Sequence, residues 1–517
     1  MSDMNSSKTK LFFGKYWILI LLVAVKLILQ FVLVNPVYEL HRDEFLHLDQ
    51  AFHPAAGYIS VPPFSSWIAS LIYLFGGGIF WIRFFPAFFG ALTIVFAWLI
   101  AEEIGGRLAS KILVSVLLIF SVLARLNVLF QPNSFDILAW TIVFYFLIRY
   151  INTPQTKWLL LLAGIIALGL YNKYNILFLI AGLFAGLLLT PQRTIFTKKA
   201  FYITIALGLI LFLPNIIWQI KNHFPVIHHM EALGRSQLVN INRIDFLMDQ
   251  LKFGLIGIIT LAAFWGLAFY KPFKSWRFIG WTFITVITLY TLSRGKSYYA
   301  IGLYPVLFAF GSVYLEAILK KWKIIFIPIL AVIQIVVFLS IAKFLMPVQS
   351  PSEIITNHET YEKMGLLHWE DGENHPLPQD FADMLGWREM ADKALVAYQT
   401  IQASEVKNTL IFCDNYGQTG ALNYYNRGKM PEAYSFNTDY IYWIPTQNQI
   451  QNMLLVGNKP SQKIIDLFTA IKLVGVVENE FAREKGTEIY LLTGAKPEVS
   501  GMINKMAADR ISKFDIF

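Results

Sequence analysis

The sequence predicts a polytopic α-helical membrane protein of about eleven transmembrane helices, with a C-terminal α/β domain outside the cytoplasm. Two observations carry this prediction. Of the 517 residues only 15% are charged and 56% are hydrophobic, whereas a soluble domain is nearer about 25% charged. The apolar residues also collect in runs of roughly 16–22 residues, long enough to cross about 30 Å as a helix. Lipid is therefore the expected solvent for most of the chain.

These runs predict a membrane domain over residues 1–345 and a more polar domain over 346–517. The predicted spans are 16–34, 82–103, 111–130, 135–150, 157–172, 175–190, 200–217, 251–270, 277–292, 298–318 and 324–345. We interpret the first as an uncleaved span, because it is long for a signal peptide and no small-residue cleavage site follows it. In the polar domain, residues 409–412 and 489–492 are typical of buried strands and 382–401 of a helix.

The basic residues predict an orientation. With the N-terminus in the cytoplasm, every turn on that side contains Lys or Arg, as the positive-inside rule requires. An odd number of spans then places the C-terminal domain outside. The net charge of +9 is explained by this topology and by attraction to anionic lipid head groups, so nucleic acid is not an expected partner. The single cysteine, Cys413, excludes an intrachain disulfide.

The long outer segment 35–81 contains the first candidate site. Two adjacent carboxylates, Asp43 and Glu44, follow the first span on its outer side. A carboxylate there can deprotonate an acceptor hydroxyl as a general base, or bind a metal ion. A solvated pair or the start of a helix is the structural alternative. Residues 62–75 are apolar but too short to cross a bilayer, so we expect a helix lying in the interface.

A second group of candidates consists of cations near the outer ends of the spans. If they converge, they can bind a phosphate or pyrophosphate and stabilise its charge as it leaves. Alternatively, each side chain extends toward lipid head groups, as basic residues near span ends usually do. The candidates are Arg83, Lys173, Arg235, Arg294 and Lys296, with Tyr298 and Tyr299 of the Lys296 loop.

Two further sets of polar residues each allow two interpretations. Asn133 and Asp136 lie at the outer start of a span, where an ionisable residue is a functional candidate, but they also suit a helix cap. His228 and His229 lie in the outer segment 218–250 and can supply metal ligands. They lack a zinc-binding spacing such as HExxH, so a role without metal is the alternative.

Nine motifs resemble those of the GT-C superfamily of membrane glycosyltransferases. The likeness is to bacterial members of glycosyltransferase family 39, relatives of the protein O-mannosyltransferases and of the lipid A aminoarabinose transferase. The motifs are HRDEF at 41–45, GYISVPP at 57–63, RFFPA at 83–87, QPNSFD at 131–136, LGLYNKY at 168–174, LPNIIWQ at 213–219, GKSYY at 295–299, LPQDFAD at 377–383 and DNYGQTGAL at 414–422. They extend over nearly the whole chain, and their order and predicted side of the membrane agree.

The resemblance implies a GT-C-type enzyme that transfers a sugar from a polyprenyl-phosphate donor to an envelope glycan, lipid or protein, with inversion. The lipid-linked sugar is then a co-substrate. The resemblance assigns the essential carboxylate to Asp43, with Glu44 beside it. The other assignments are the cations and tyrosines above for the donor phosphate, and His41, Arg42, Asn133 and Asp136 for the acceptor side or for support.

The chain also departs from its relatives. Many of them carry an Asp-His or Glu-Lys pair just before the double proline, where this chain has Ser60 and Val61. The departure weakens a metal site, and a divalent ion stays an open option with Glu44, His228 and His229 as candidate ligands.

Two other functions fit a membrane protein of this kind, and the first of them uses the same lipid contacts without a base. One is a transporter or flippase of polyprenyl-linked glycans, for which repeated halves are expected and none is seen. The other is a non-catalytic scaffold that binds envelope glycans or protein. In each case we expect a multi-pass protein of the bacterial inner membrane.

Aromatic residues of the polar domain can stack on sugars or form its core; they are Tyr416, Tyr424, Tyr425 and Trp443.

Overall fold

The structure, a computed structural model, describes residues 2–253, 257–445 and 449–513. Its contacts group the chain into two compact units. The first unit consists of Met1–Leu33, Phe80–Ile217 and Gly234–Met346. The second consists of Val34–Ile79, Trp218–Leu233 and Pro347–Phe517. The outer segment after the first helix therefore packs with the C-terminal part of the chain.

The first unit is helical, and each of the eleven predicted spans contains a helix. Residues 254–256 of the span 251–270 lie outside the described residues. The α-helices are Ser2–Val32, Ile79–Glu103, Leu108–Ile119, Leu123–Leu126, Asn133–Asn152, Thr156–Asn172, Ile176–Leu188, Lys199–Lys221, Arg243–Phe253, Gly257–Phe269, Phe278–Leu292, Tyr304–Leu319 and Lys323–Leu345. Shorter 3-10 helices join them at Pro191–Thr197, Leu238–Asn240, Lys271–Trp276, Ser297–Leu303 and Lys320–Trp322.

Length and composition limit which helices can cross a bilayer alone. In the described part of the chain, 5 stretches are long and apolar enough, or up to 6 if one pair bent by 108° forms a single span. The remaining apolar helices have 10–17 residues, fewer than the roughly 20 that cross about 30 Å. The polytopic helical fold is as predicted, while the number of spans stays a prediction.

The outer surface of these helices is apolar. Ile210 and Ile324, for example, are 66% and 76% exposed, and a continuous apolar surface of this kind in water would drive association. The interior is packed with large side chains such as Trp140 and Tyr304. Backbone groups are paired within the helices, which a lipid environment requires. The first unit is therefore built for lipid outside and a packed core inside.

Ion pairs join several turns that the basic residues predict to be cytoplasmic. Glu102 lies 2.7 Å from Lys15 and 3.5 Å from Lys111. Its neighbour Glu103 pairs with Arg149. The basic residues of these turns thus gather at one end of the helices, as the predicted topology requires. The side of the membrane that this end faces stays a prediction.

The second unit contains a sheet of five strands among the residues described. They are β1 (Thr409–Cys413), β2 (Ala433–Tyr434), β3 (Asn452–Gly457), β4 (Phe468–Val476) and β5 (Glu488–Ala495), in the order β2-β1-β3-β5-β4. Strand β1 is parallel to β2 and β3, whereas β5 is antiparallel to β3 and β4. Strands β1 and β3 are buried throughout. Both predicted strand segments are found, in β1 and β5.

Helices cover this sheet and form the outer loop. The α-helices are Arg42–Asp49, Phe64–Leu74, Pro225–Ser236, Pro351–Thr356, His358–Lys363, Gln379–Ala382, Trp387–Gln399, Tyr416–Asn426, Gln462–Ile465 and Glu498–Lys513, with 3-10 helices Gln50–Phe52, Val406–Asn408 and Thr438–Tyr442. Val499 and Ile503 of the last helix pack with Leu410, Leu455 and Leu492 of the sheet. The predicted helices 62–75 and 382–401 correspond to Phe64–Leu74 and Trp387–Gln399. Residues 446–448 and 514–517 of the predicted domain lie outside the described residues.

A glycine lets the first helix of the outer loop approach the C-terminal part of the unit. The helices Arg42–Asp49 and Tyr416–Asn426 pack directly on each other. A Cβ atom at Gly420 would lie 2.7 Å from Cβ of Phe45 and 2.8 Å from the Tyr440 hydroxyl, too close for any real side chain. The glycine therefore permits the contact that brings Asp43 and Tyr416 together.

Candidate active site

A helix cap fixes the position of the two candidate carboxylates. His41 is the N-cap of the helix Arg42–Asp49, and its Nδ1 accepts a hydrogen bond of 3.2 Å from the Asp43 amide. In return, Glu44 Oε2 accepts one of 2.7 Å from the His41 amide, which completes a capping box. Glu44 is fully buried, so its carboxylate stabilises the helix start. A catalytic or metal-binding role for Glu44 stays a prediction.

Asp43 is held differently from Glu44, because its carboxylate stays partly open to solvent. The side chain is 36% exposed. Its Oδ1 accepts a hydrogen bond of 2.6 Å from the Tyr416 hydroxyl. The Arg42 guanidinium lies 4.5 Å from the centre of the Tyr416 ring. A charged acceptor is thus held in one orientation by a phenol and a cation while part of it remains accessible.

The surroundings keep Asp43 ionised. Burial alone would raise the pKa of its carboxyl, but the electrostatic interactions with His41 and Arg42 and the Tyr416 hydrogen bond outweigh burial and lower that pKa. Tyr416 shows the reverse effect, since burial and the nearby Asp43 charge raise the pKa of its phenol well above the ordinary value. At neutral pH the aspartate is therefore charged and the tyrosine remains a hydrogen-bond donor.

A second carboxylate, that of Asp383, lies next to His41. Asp383 is 2% exposed and its Oδ2 lies 3.7 Å from His41 Nε2. Its oxygens accept hydrogen bonds of 3.3 and 3.2 Å from Arg483 Nη1. Burial raises the pKa of Asp383, against the lowering charges of His41, Arg42 and Arg483. Neither Asp383 nor Arg483 was a candidate from the sequence, although Asp383 ends the motif at 377–383.

Buried Asp49 links the same helix to the C-terminal part of the unit. Its Oδ2 accepts hydrogen bonds of 2.7 Å from Asn423 and 2.8 Å from the Tyr440 hydroxyl. Its Oδ1 pairs with Arg427. Burial raises the pKa of Asp49 to about 6. Its oxygens are directed at these partners, so its role is structural.

Asp439 belongs to the C-terminal part of the unit and accepts hydrogen bonds from the outer segment 35–81. Its Oδ1 accepts a 2.6 Å bond from the Ile59 amide, and its Oδ2 accepts bonds of 2.6 Å from the Ser60 hydroxyl and 2.9 Å from Gln50. Burial raises the pKa of Asp439. The Ser60 hydroxyl thus donates to a buried aspartate in this chain.

The four aromatic candidates of the polar domain take part in packing or hydrogen bonds. Tyr416 donates to Asp43, and Tyr425 donates to Glu39 over 3.0 Å. The Tyr424 hydroxyl donates to the Gly77 carbonyl over 3.2 Å. Trp443 stacks on His53 with ring centres 4.0 Å apart. These contacts join the outer loop to the C-terminal part of the unit, and stacking on sugars stays a prediction.

In the first unit, several of the predicted donor-binding residues meet. Lys173 follows the helix Thr156–Asn172 and precedes Ile176–Leu188. Its Nζ donates a 3.0 Å hydrogen bond to Asn133 Oδ1 and lies 5.1 and 4.5 Å from the ring centres of Tyr298 and Tyr299. Lys296 directly precedes the 3-10 helix Ser297–Leu303, which carries both tyrosines. An ammonium group beside two phenols is suited to contact an anion.

Asp136 organises this cluster from within the helix bundle. It is 6% exposed, and its oxygens accept hydrogen bonds of 3.0 Å from Trp140 Nε1 and 2.7 Å from Asn175 Nδ2. Asn175 also donates to the Tyr299 carbonyl over 3.0 Å. The expected helix cap is not formed, since Pro132 occupies the N-cap position without a side-chain bond. Asp136 and Asn133 are thus positioning residues next to Lys173.

The three remaining cations have separate surroundings. Arg83 is 7% exposed and donates to the Val128 carbonyl over 2.9 Å. Arg294 has a positive φ of 52° and donates to the Val239 carbonyl. Arg235 lies in the last turn of the helix Pro225–Ser236. Arg83 and Arg294 both donate hydrogen bonds to backbone carbonyls. Their contribution to a phosphate site stays a prediction.

Metal ligands are not gathered within the described residues. No group of three or more His, Cys, Asp or Glu side chains there is arranged to hold a metal ion. His228 and His229 lie on the helix Pro225–Ser236, and Glu44 is committed to its helix cap. The structure does not bring these three candidate ligands together.

A bundle of apolar helices with a sheet-containing unit after it defines the class, a polytopic membrane protein with a polar C-terminal region. Its fold is similar to two crystal structures of ArnT from Cupriavidus metallidurans. For the structure bound to undecaprenyl phosphate, the TM-score is 0.60 at 15% identity, with 92% of this chain and 98% of that chain covered. For the apo state the TM-score is 0.60 at 14% identity, with the same coverage. The chain therefore has the GT-C fold.

Sequence comparisons agree with the fold. Residues 60–218 match the family described as dolichyl-phosphate-mannose-protein mannosyltransferase. The lipid A galacturonosyltransferase RgtD of Rhizobium johnstonii is 26% identical over 251 residues, which is 46% of this chain and 51% of that protein. The match thus covers about half of the relative's length. Fold and sequence likeness thus agree with the GT-C resemblance that the motifs carry.

Proposed function

We propose that the chain is a membrane glycosyltransferase that moves a sugar from a polyprenyl-phosphate carrier to an acceptor of the cell envelope. The GT-C resemblance supports the reaction class. A similar structure was solved with undecaprenyl phosphate, which supports the carrier. The similar protein named for transfer to lipid A supports an envelope acceptor. The sugar is a hexosyl or pentosyl unit.

Asp43 is the proposed general base. It accepts the proton of the acceptor hydroxyl while that oxygen forms a bond to the anomeric carbon of the donor sugar. The bond from the anomeric carbon to the phosphate oxygen breaks, and the electron pair leaves with the polyprenyl phosphate. One displacement of this kind inverts the anomeric configuration. The phosphate is a good leaving group, so no acid is needed to protonate it.

Lys173 and Lys296 are the proposed ligands of the donor phosphate. The Lys173 ammonium lies beside the Tyr298 and Tyr299 rings and donates to Asn133, and Lys296 directly precedes the 3-10 helix that carries these tyrosines. Charges fixed in this way stabilise the negative charge that grows on the leaving phosphate, without reorganisation during the reaction. No step of the proposed mechanism passes through a metal ion.

A partly exposed, ionised Asp43 carboxylate held by Tyr416, Arg42 and His41 is the observation that carries this proposal. The test is transfer by the purified full-length protein in nanodiscs, with a radiolabelled polyprenyl-phosphate sugar and an envelope lipid extract. We expect Asp43→Asn to lower transfer at least a hundredfold, in the range of general-base catalysis. Asp392→Asn, an exposed aspartate of the same unit, is the matched control.

Released polyprenyl phosphate, measured by mass spectrometry, separates transfer from transport. A glycosyltransferase releases it in step with product, whereas a flippase moves the lipid-linked sugar intact. An Asp43→Asn protein with full transfer activity would contradict the assignment of the base. We place the enzyme in the bacterial inner membrane, where lipid-linked donors and envelope acceptors meet.

A further inference from the structure

A cavity of the second unit has a separate set of chemical groups. Its volume is about 310 Å³, at the lower end of the roughly 300–1,000 Å³ of small-molecule sites. The outer loop contributes Phe52 and His53. The helix Tyr416–Asn426 and the turn after it contribute Asn423, Asn426, Arg427 and Glu432. The size suits a ligand of monosaccharide or disaccharide dimensions.

One lining residue has an unsatisfied acceptor. Asn426 is 1% exposed, and its Nδ2 donates a 2.8 Å hydrogen bond to the Ala391 carbonyl. Its side-chain oxygen Oδ1 is buried and accepts no hydrogen bond from any residue that the structure describes. Buried polar atoms are nearly always paired. This oxygen is also closed to solvent, so a ligand could reach it only after a shift of the Asn426 side chain.

The charges of the cavity are already balanced. Arg427 pairs with Asp49, and Glu432 lies 2.6 Å from His53 Nε2. Burial raises the pKa of Glu432, but the His53 contact and other partners outweigh it and keep the carboxyl ionised. With two carboxylates against one permanent cation, the cavity does not favour a phosphate. A carboxylate beside a guanidinium does suit vicinal hydroxyls, which both donate and accept.

An aromatic wall completes the cavity. The Phe52 side chain is 43% exposed, with the Arg427 guanidinium 3.4 Å from the centre of its ring and the Tyr73 ring 4.6 Å away edge-on. The ring is therefore held in place while it presents apolar surface. A pyranose combines an apolar C–H face with hydroxyls around its edge, so it matches an aromatic wall flanked by polar groups.

We propose that this cavity binds an uncharged sugar unit of the acceptor glycan. Phe52 contacts the C–H face, Glu432 accepts hydrogen bonds from hydroxyls, and Arg427 donates to one. That this sugar belongs to the acceptor rests on the proposed function, whereas the binding of a sugar does not. The proposed ligand is a neutral pyranose, whereas the ligand proposed near Lys173 is an anionic phosphate.

The test is saturation-transfer NMR with the full-length protein in phosphatidylcholine nanodiscs, which avoids the sugar head groups of maltoside detergents. Methyl glucoside and N-acetylglucosamine are the probes, and inorganic phosphate is the competitor. We expect transfer signals with the wild-type protein that fall at least tenfold in Glu432→Gln and in Phe52→Ala. Glu362→Gln, an exposed glutamate of the same unit, should keep the wild-type signal.

The proposal is overturned by equal signals in all variants, by no signal in the wild type, or by displacement with phosphate. In the transfer assay, Glu432→Gln and Phe52→Ala should raise KM for the acceptor about tenfold and leave kcat unchanged. Unchanged acceptor KM in an active enzyme would also overturn it. A protein that binds the sugars through this cavity but never transfers would uphold the sugar site and contradict the proposed function.

Discussion

Burial separates Asp43 from the carboxylates around it. Its side chain is 36% exposed, whereas those of Asp49 and Asp383 are each 2% exposed. A buried carboxylate surrounded by donors stabilises the fold, because removing it would leave those donors unpaired. A carboxylate that is both held and accessible can also meet a substrate. Within the second unit this contrast favours Asp43 as the reacting group.

Tyr416→Phe tests how Asp43 is tuned. The phenol donates to the charged form of Asp43 and so lowers its pKa. Without that hydrogen bond the pKa rises, and the acidic limb of kcat/KM moves to higher pH. A hydrogen bond to a charged group contributes roughly 1.5–3 kcal/mol, and one pH unit is about 1.4 kcal/mol. We therefore expect a shift of about one to two units, measured as a pH–rate profile of transfer.

The control for this variant is Tyr424→Phe, which removes a phenol of the same helix that donates to a backbone carbonyl. It should leave the acidic limb where it is. If Tyr416→Phe lowers activity equally at every pH, the tyrosine does not tune Asp43. The direction of the shift also has a counterpart in stability. The stability that ionised Asp43 contributes is present above its unfolded pKa and lost as pH falls through its folded pKa.

Residue identity predicted part of this site. Adjacent carboxylates on the outer side of a span identified Asp43, because charge near lipid suggests a function. The sequence did not separate Glu44 from Asp43, since a histidine is an unusual N-cap and the capping box usually starts with Ser or Thr. The partner Tyr416 lies 373 positions from Asp43. Only the packing around Gly420 brings these two residues together.

Among the larger elements, the outer loop 34–79 depends on buried hydrogen bonds to the C-terminal part of its unit. Asp439→Ala removes the acceptor of the Ile59 amide, the Ser60 hydroxyl and Gln50. Each buried donor left unpaired costs roughly 1–3 kcal/mol, so we expect a loss of about 3 kcal/mol or more. Chemical denaturation and limited proteolysis of the loop in the full-length protein measure the effect.

Asp466→Ala is the comparison for this variant, because Asp466 is exposed and accepts a 2.7 Å bond from Gln462 within its own helix. It should change stability by less than about 0.5 kcal/mol, as surface substitutions usually do. Faster proteolysis of residues 34–79 in Asp439→Ala but not in Asp466→Ala supports the link. Equal behaviour of the two variants would show that the loop is held by its apolar contacts.

A break between two helices places Lys173. Lys173 lies between the helices Thr156–Asn172 and Ile176–Leu188. Its side chain donates a hydrogen bond to Asn133. Lys173→Gln removes one charge from the proposed phosphate site. A charge-assisted hydrogen bond contributes roughly 1.5–3 kcal/mol, so kcat/KM for the donor should fall roughly tenfold to a hundredfold in the transfer assay.

Lys157→Gln changes an exposed lysine of the predicted cytoplasmic side and should leave kcat/KM unaltered. A Lys173→Gln enzyme with normal donor kinetics would show that Lys173 does not bind the donor phosphate.

The helices around Lys173 were predictable, since apolar runs of roughly 16–22 residues predict helices that cross a bilayer. Its neighbours Tyr298 and Tyr299 lie on a later 3-10 helix, Ser297–Leu303, and their meeting with Lys173 depends on tertiary packing.

For the whole molecule, two solvents explain the composition. Apolar side chains cover the outside of the first unit, while the second unit buries its apolar residues in a sheet and keeps charged groups on its surface. Hydrophobic runs and charge frequency predict a change of solvent near residue 346, because both follow directly from the solvent that each segment meets. The structure groups Val34–Ile79 and Trp218–Leu233 with the C-terminal part. The number of spans is harder to predict, since several helices are short or bent.

The sidedness of the chain is testable because it has one cysteine, Cys413, which is fully buried. New cysteines at exposed positions are therefore the expected sites of reaction with a maleimide that does not cross membranes. In intact spheroplasts we expect labelling of Asp392→Cys in the C-terminal part and none of Lys157→Cys until the membrane is permeabilised. The reason is that Lys157 belongs to a basic turn, and basic turns stay in the cytoplasm. Labelling of Lys157→Cys without permeabilisation, with Asp392→Cys protected, would invert the topology and place Asp43 away from any outer-leaflet donor.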